Sequence, residues 1–240
     1  MVRAAEAIAL VEMTDVSKDY HGLRPLRIAS LSIATGEQVA LLGFDQSTAE
    51  IFVNLLTGAF LPDRGSIRLF GRATTDIQTS DDWLGIVDRF GIVSRRAVLL
   101  DSLTVVQNLS MPFTLDIEPP AAQIRARAIA LAREVGLSDA VLDRPIAELT
   151  PLDVSSVRLA RALALDPAVL IFEHPTAEVE RADIGELAWR CRDVAERRKV
   201  ATIMLTADRE FAHAAASKVL TLNPANGRWS SGGWLSRLRG

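Results

Sequence analysis

Short apolar bursts separated by turn residues run along the chain, and their spacing predicts which parts are strand and which are helix. Residues 8–16 alternate weakly, and residues 28–33 clearly, between apolar and polar, as half-buried strands do. Val39, Ala40, Leu41 and Leu42 form an unbroken apolar run, as in a strand buried on both faces. Ile51, Phe52, Leu55 and Leu56 then fall on one face of a helix that ends before Gly58. Beyond the turn at Pro62-Asp63-Arg64-Gly65 come short strands at residues 66–70 and 90–93. Between them, the polar residues 74–82 read as a solvated loop or the start of a helix.

Residues 103–163 carry a helical pattern, clearest where Ile124, Ala128, Leu131 and Val135 recur along one face. Pro119-Pro120, Gly136 and Pro145 punctuate it. A strand at 169–172, an amphipathic helix at 184–198, a strand at 201–205, a helical turn or two at 210–216 and a last strand at 219–222 follow. Strands alternating with helices imply an α/β fold with a mostly parallel sheet covered on both faces. Residues 223–240 hold Trp229 and Trp234 with Arg228, Arg237 and Arg239. They read as a loose tail in preference to a basic amphipathic piece that touches a partner or a membrane surface.

Composition narrows the function classes. The chain has 240 residues, 49% of them hydrophobic and 24% charged, with a net charge of −3, as in a soluble globular protein. That mild acidity argues against a broad nucleic-acid footprint, so no nucleic-acid partner is expected. Cys191 is the lone cysteine, which rules out an intrachain disulfide, and with no histidine near it in sequence it reads as an ordinary thiol. Residues 1–13 lack the basic start and apolar run of a signal peptide. No stretch approaches the ~20 apolar residues of a membrane span. A soluble, cytoplasmic protein is expected.

The most informative stretch begins at Gly43. Strand, turn and helix in that order frame a phosphate-binding loop, G-x-x-x-x-G-K-S/T. Laid on the pattern without a gap, Thr48 stands at the second glycine, Ala49 at the lysine and Glu50 at the metal-ligating hydroxyl. The frame is present and its chemistry is gone.

Other landmarks keep the same order. They are Val16-Ser17-Lys18 with Tyr20, Gly36-Glu37, and Leu103-Thr104-Val105 followed by Asn108. Later come the run from Leu159-Ala160-Arg161-Ala162 to Asp166-Pro167, then Pro175-Thr176-Ala177, and Thr206 with Asp208. Across residues 8–222 the chain resembles the nucleotide-binding subunit of ATP-binding cassette (ABC) transporters. The resemblance implies a P-loop NTPase fold of the ABC cassette type. Such a fold has a mostly parallel sheet, an N-terminal β-subdomain and an inserted helical subdomain, here at about residues 96–160, with residues 223–240 as a C-terminal tail. Residues 103–113 resemble cassettes that serve lipid or lipoprotein trafficking.

The family's functional positions are carried over one at a time. Tyr20 matches the aromatic that stacks on adenine. Gly43, Gln46, Ser47, Thr48, Ala49, Glu50 and Ile51 occupy the phosphate loop and the start of its helix, and Arg95 stands at the glutamine that senses the γ-phosphate. The signature loop appears as Leu149, Thr150, Pro151, Leu152 and Asp153, with proline and leucine where glycines let the backbone approach phosphate. Glu173 stands where an aspartate holds magnesium, His174 where a glutamate polarises water, and Ala207 where a switch histidine belongs. Glu178-Val179-Glu180 falls in the loop that normally carries a glycine and an aspartate.

These substitutions decide the functional expectation. A triphosphate needs backbone N–H groups in a concave array together with positive charge. A carboxylate at position 50 about 4 Å from a phosphate charge costs on the order of 4 kcal/mol at an effective dielectric of 20. That is roughly a thousandfold in affinity. No catalytic residue, cofactor or metal is therefore expected, and the site positions are vestigial. The chain reads as a non-hydrolytic scaffold or regulatory subunit docking to a membrane permease, a partner cassette or a second copy of itself, at the inner face of the membrane. Its docking surface would be residues 99–163, with Arg95 and Arg96 at the hinge. His174 would keep the strand-end turn packed. One alternative is an ATP-hydrolysing subunit with Glu50 and Glu173 on Mg²⁺ and His174 as base. A second is a binding module whose vacated cleft, with Asp45 and Glu50, suits a cation.

Overall fold

Two sheets carry the fold in the computed structural model, which describes residues 9–231. In chain order the N-terminal part comprises β1 (Ala9–Lys18), β2 (Leu26–Ala34), β3 (Gln38–Leu42), α1 (Gln46–Leu56), β4 (Arg64–Leu69) and β5 (Arg72–Ala73). Then come α2 (Ser80–Val87), β6 (Phe90–Val93), α3 (Val105–Ser110), α4 (Ala122–Glu134) and α5 (Pro151–Ala162). The chain continues through β7 (Val169–Glu173), α6 (Ile184–Arg198), β8 (Ala201–Leu205), α7 (Arg209–Ala215), β9 (Lys218–Asn223) and β10 (Arg228–Ser231).

The antiparallel sheet runs β2-β1-β4-β5, and the second sheet runs β10-β9-β3-β8-β7-β6. In the second sheet every neighbouring pair is parallel except β10 with β9. β3, β7 and β8 are buried at every position, which explains why they are almost wholly apolar. One face of this sheet packs with α1 and the antiparallel sheet around Leu41, Phe52, Leu55 and Ile67. The other face packs under helices around Leu109, Leu159, Leu187 and Phe211. This is the α/β cassette architecture expected from the sequence.

Register brings the strand ends that matter side by side. Glu173 pairs across from Leu205, and Leu205 from Leu41, so β3, β7 and β8 end together. Ligands of open α/β sheets gather outside such carboxyl ends. The peptide N–H of His174 donates to the Leu205 carbonyl at 2.8 Å, and that of Thr206 to the Leu41 carbonyl at 3.2 Å, which fixes the turns leaving the sheet.

Between β6 and β7 the chain runs through α3, α4 and α5. Asn108, fully buried on α3, anchors the segment leading into it. Its amide accepts the Leu100 N–H at 2.8 Å and donates to the carbonyls of Leu100, Leu103 and Thr104. Gly91 in β6 permits α5 to approach, since a Cβ there would sit 2.4 Å from the Ala162 carbonyl oxygen.

The tail expectation needs correction. Residues 228–231 form β10, antiparallel to β9, with Trp229 opposite Leu222. The Trp229 indole N–H donates to the Ser30 carbonyl at 2.7 Å, so the hairpin is tied to β2. The Asn226-Gly227 dipeptide makes the turn possible, with Gly227 at φ +72°. Trp234, Arg237 and Arg239 lie outside the described residues. The region 74–82 does hold a helix start, as one of its two expected readings had it: Thr79 accepts the Asp82 N–H and caps α2. No helix among the described residues is long and apolar enough to cross a membrane.

Candidate functional site

The turn after β3 is short. Gly43 adopts φ +97°, and a side chain there would meet the Leu222 carbonyl at 3.1 Å, so only glycine suits the turn. Phe44 turns inward and is buried against Phe52, ring centroids 5.0 Å apart. Asp45 then caps α1, which begins at Gln46. In a phosphate-binding loop the helix follows the glycine-lysine pair. Here Gln46, Ser47 and Thr48 already form the first helical turn, so three residues lie between β3 and α1.

Asp45 and Thr48 close that helix end on themselves. The Asp45 carboxylate accepts the Thr48 N–H at 2.8 Å, and the Thr48 hydroxyl accepts the Asp45 N–H at 2.9 Å. The Thr48 peptide bond, then the Thr48 hydroxyl, hold the Asp45 carboxyl below its usual range against an opposing effect of burial. The carboxylate is thus an anion seated at a positive helix terminus. Tyr20 is half-buried nearby, its hydroxyl pushed up by burial first and by the Asp45 charge second. Its ring folds over Gly22, where a Cβ would come within 2.4 Å.

Ala49 is fully buried in the core between the sheets, and Ile51 packs against that core. Glu50 points outward and is half-exposed. At the end of β7, Glu173 is almost wholly buried, with 1% of its side chain exposed. Its carboxylate accepts from Gln46 Nε2 at 2.9 Å, Ser94 Oγ at 3.0 Å, Arg96 Nε at 3.1 Å and Arg96 Nη2 at 2.7 Å. The same guanidinium places Nη1 3.4 Å from Glu50 Oε1. Gln46, Glu50, Ser94, Arg96 and Glu173 therefore form one cluster.

Arg95, at the sensing position by sequence register, is not in it. It pairs with Glu178 at 2.9 Å, and Glu178 also takes Arg158 of α5 at 2.8 Å. The side chain that reaches the buried carboxylate is that of Arg96, one residue later. Register alone cannot choose between consecutive arginines at the two central positions of one tight turn, closed by the Ala97 N–H on the Ser94 carbonyl at 3.1 Å.

His174 follows Glu173 with φ +46°, and its Nε2 is buried with no hydrogen-bond partner among the described residues. It lines a small, partly open cavity of about 20 Å³ with Ser155, Arg158 and Cys191. Ala207 presents an exposed methyl group and no proton. Thr150 caps α5 by accepting the Asp153 N–H at 3.2 Å, Pro151 opens the helix and Leu152 packs on the core. Asp153 lies 3.6 Å from Arg190, in a network separate from the Glu173 cluster. Both helix ends that the resemblance would aim at phosphate are therefore capped by side chains of this chain. Among the described residues no group of three or more His, Cys, Asp or Glu side chains is placed to hold a metal ion.

Comparison with known proteins places this geometry. Residues 26–177 match the family described as "ABC transporter". The chain is 28% identical over 219 residues to the methionine import ATP-binding protein MetN of Brucella abortus, covering 91% of this chain and 58% of that protein. It is 26% identical over 227 residues to the lipoprotein-releasing system ATP-binding protein LolD of Psychrobacter arcticus, covering 93% and 99%. Against the sulfate/thiosulfate import ATP-binding protein CysA of Bordetella bronchiseptica it is 30% identical over 216 residues, covering 89% and 59%. The chain thus spans 58% of the length of the MetN relative and nearly all of LolD. Among solved structures it superposes on the dimeric post-hydrolysis state of the ATP-binding cassette MJ0796 bound to ADP and Pi, with TM-score 0.75, 21% identity and coverage of 96% and 99%. It also superposes on cbiO1 from Clostridium perfringens, part of the transporter complex cbiONQ, with TM-score 0.79, 20% identity and coverage of 96% and 90%. At these identities the structural matches speak to the fold.

Proposed function

The chain belongs to the ABC transporter family, as an ATP-binding cassette domain, and from that membership we propose that it is a cassette that keeps the fold without binding or hydrolysing ATP. The observation that carries this reading is the start of α1. Only Gly43, Phe44 and Asp45 separate β3 from the helix, and Asp45 already occupies the helix terminus. A nucleoside triphosphate with magnesium does not fit these residues. The N–H array is committed to Asp45, no cation projects from the buried Ala49, and Glu50 adds repulsion. Hydrolysis lacks support as well, since Ala207 carries no imidazole and the guanidinium groups nearest His174, those of Arg95, Arg96 and Arg158, are already paired with Glu178 and Glu173.

What remains is a scaffold or regulatory role beside a membrane permease, a partner cassette or a second copy of the chain. A groove of about 380 Å³ supports docking, with Phe90, Ile92, Leu99 and Met111 among its apolar lining and Arg158 and Arg161 also facing it. Val98, Leu100 and Leu115 stand exposed around the helical segment at 66%, 45% and 95%. The names of the relatives, import and lipoprotein-releasing ATP-binding proteins, point to membrane assemblies as the setting, reached through a partner.

Titration calorimetry of the purified chain with ATP, with and without Mg²⁺, tests the proposal. The expected result is no binding in the micromolar range. Micromolar affinity, or steady-state phosphate release that disappears in His174→Ala, would overturn it in favour of an active transport ATPase.

A further inference from the structure

A carboxylate as buried as Glu173 is costly unless a cation and hydrogen bonds meet it. The chain supplies both from two other elements. Gln46 comes from α1, and Ser94 and Arg96 come from the loop after β6. Arg96 uses its planar fork on Glu173, through Nε and Nη2, and turns Nη1 toward Glu50 on α1. Its own backbone N–H donates to Ser94 Oγ at 3.1 Å, so the loop that presents the guanidinium is held by the same cluster.

The fold family would have these positions share a divalent cation and a phosphate: the cation between residues 50 and 173, the phosphate at the N-terminus of α1. Neither fits the residues present, and each place is already taken by a side chain of matching charge. We infer that Arg96 is the resident cation of the Glu50–Glu173 seat and Asp45 the resident anion of α1. Together they hold α1, β7 and the loop after β6 in one arrangement without metal or nucleotide. This inference rests on reading the chain as a non-hydrolytic cassette, and it adds what does the ligand's structural work.

Arg96 outcompetes a free ion for two reasons. It is tethered, so it loses little translational freedom on pairing. Magnesium, in addition, sheds water reluctantly and prefers near-ideal octahedral geometry. Arg95 extends the effect to the helical segment, since it faces the other way and joins Glu178 and Arg158 of α5. Consecutive arginines thus tie the loop after β6 to α1 and β7 on one side and to α5 on the other. The placement of α5 on the sheet then depends on no ligand.

Thermal unfolding of the full chain with millimolar Mn²⁺ tests the role of Arg96. Wild type is expected to show no Mn²⁺ shift. Arg96→Met is expected to lower Tm by on the order of 10 °C, and Mn²⁺ is expected to recover part of that loss. Arg96→Lys should stay closer to wild type and ignore Mn²⁺. Adding Glu173→Gln to Arg96→Met should raise Tm again and abolish the Mn²⁺ response, because the seat no longer needs a cation. If Arg96→Met does not fold, the double variant is still expected to fold. An Arg96→Met protein as stable as wild type, one no more responsive to Mn²⁺ than wild type, or a double variant no better than the single one would each overturn the inference. None of these readouts involves ATP. Nucleotide binding by wild type would sink the proposed function, whereas a missing Mn²⁺ response in Arg96→Met sinks only the resident cation.

Discussion

Trp229 stacks on Phe44 across the seam between the C-terminal hairpin and the turn after β3, with ring centroids 6.3 Å apart and planes at 28°. The contact places a residue of β10 behind the position where a phosphate loop would open. It also explains why Phe44 is buried in a turn otherwise open to solvent. Trp229→Ala removes a half-buried aromatic and its hydrogen bond to Ser30. A loss of about 2 kcal/mol is expected, read as a Tm lower by roughly 5 °C in a thermal scan. No change would mean that the hairpin does not brace the turn.

Asp45 makes stability depend on acid in a defined window. Its carboxyl is held below its ordinary value in the folded chain. Its contribution is therefore complete above the unfolded carboxylate value of about 4 and drains away as pH falls through the depressed folded value. Asp45→Ala is expected to cost about 1 kcal/mol at pH 7, in line with other helix caps. Urea titrations at pH 7 and pH 3 should show the gap between wild type and variant shrinking at the lower pH.

Under the proposed function, a lysine at position 49 alone should not confer nucleotide binding. Ala49 is 0% exposed in a packed core, so Ala49→Lys must bury an ammonium or push α1 away from the sheet. Ala49→Lys with Glu50→Thr is expected to melt lower than wild type and to give no calorimetric signal with Mg-ATP. Tight binding by this pair would show that the helix start at Gln46 yields easily.

Cys191 should be silent toward thiol reagents in the native protein. Burial pushes its thiol up to about 12, only partly offset by the Arg190 charge, and 1% of the residue is exposed. Ellman's reagent at pH 8 is expected to titrate it only after denaturation. Rapid native labelling would show that α6 opens.

The sequence displayed the parts of this fold whose burial is extreme. β3, β7 and β8 are apolar at nearly every position because both faces are covered, and their short length favours strand over buried helix. β10 is hard to read from the sequence because Trp229-Ser230-Ser231 is short and mostly polar, and the Trp and Arg residues around it resemble a tail. The Asn226-Gly227 turn was the available signal. At the site, the identities of Thr48, Ala49 and Glu50 were visible at once. The spacing of Asp45 to Thr48 also signalled a cap, and that reading would have foretold the early helix start. What Arg96 does could not be read from order along the chain, because it depends on two carboxylates that lie far away in sequence, one on α1 and one at the end of β7.

Under the proposed function, the cluster around Arg96 also bears on whether the chain could acquire an ATP-driven motor by small steps. Removing Arg96 first strands Glu173 in the interior. Adding a lysine at position 49 first drives charge between the sheets, and removing Asp45 first frays α1. Each lone change lands in a valley below its starting point, so under the proposed function the contacts that keep the casing sound also bar single steps toward an engine.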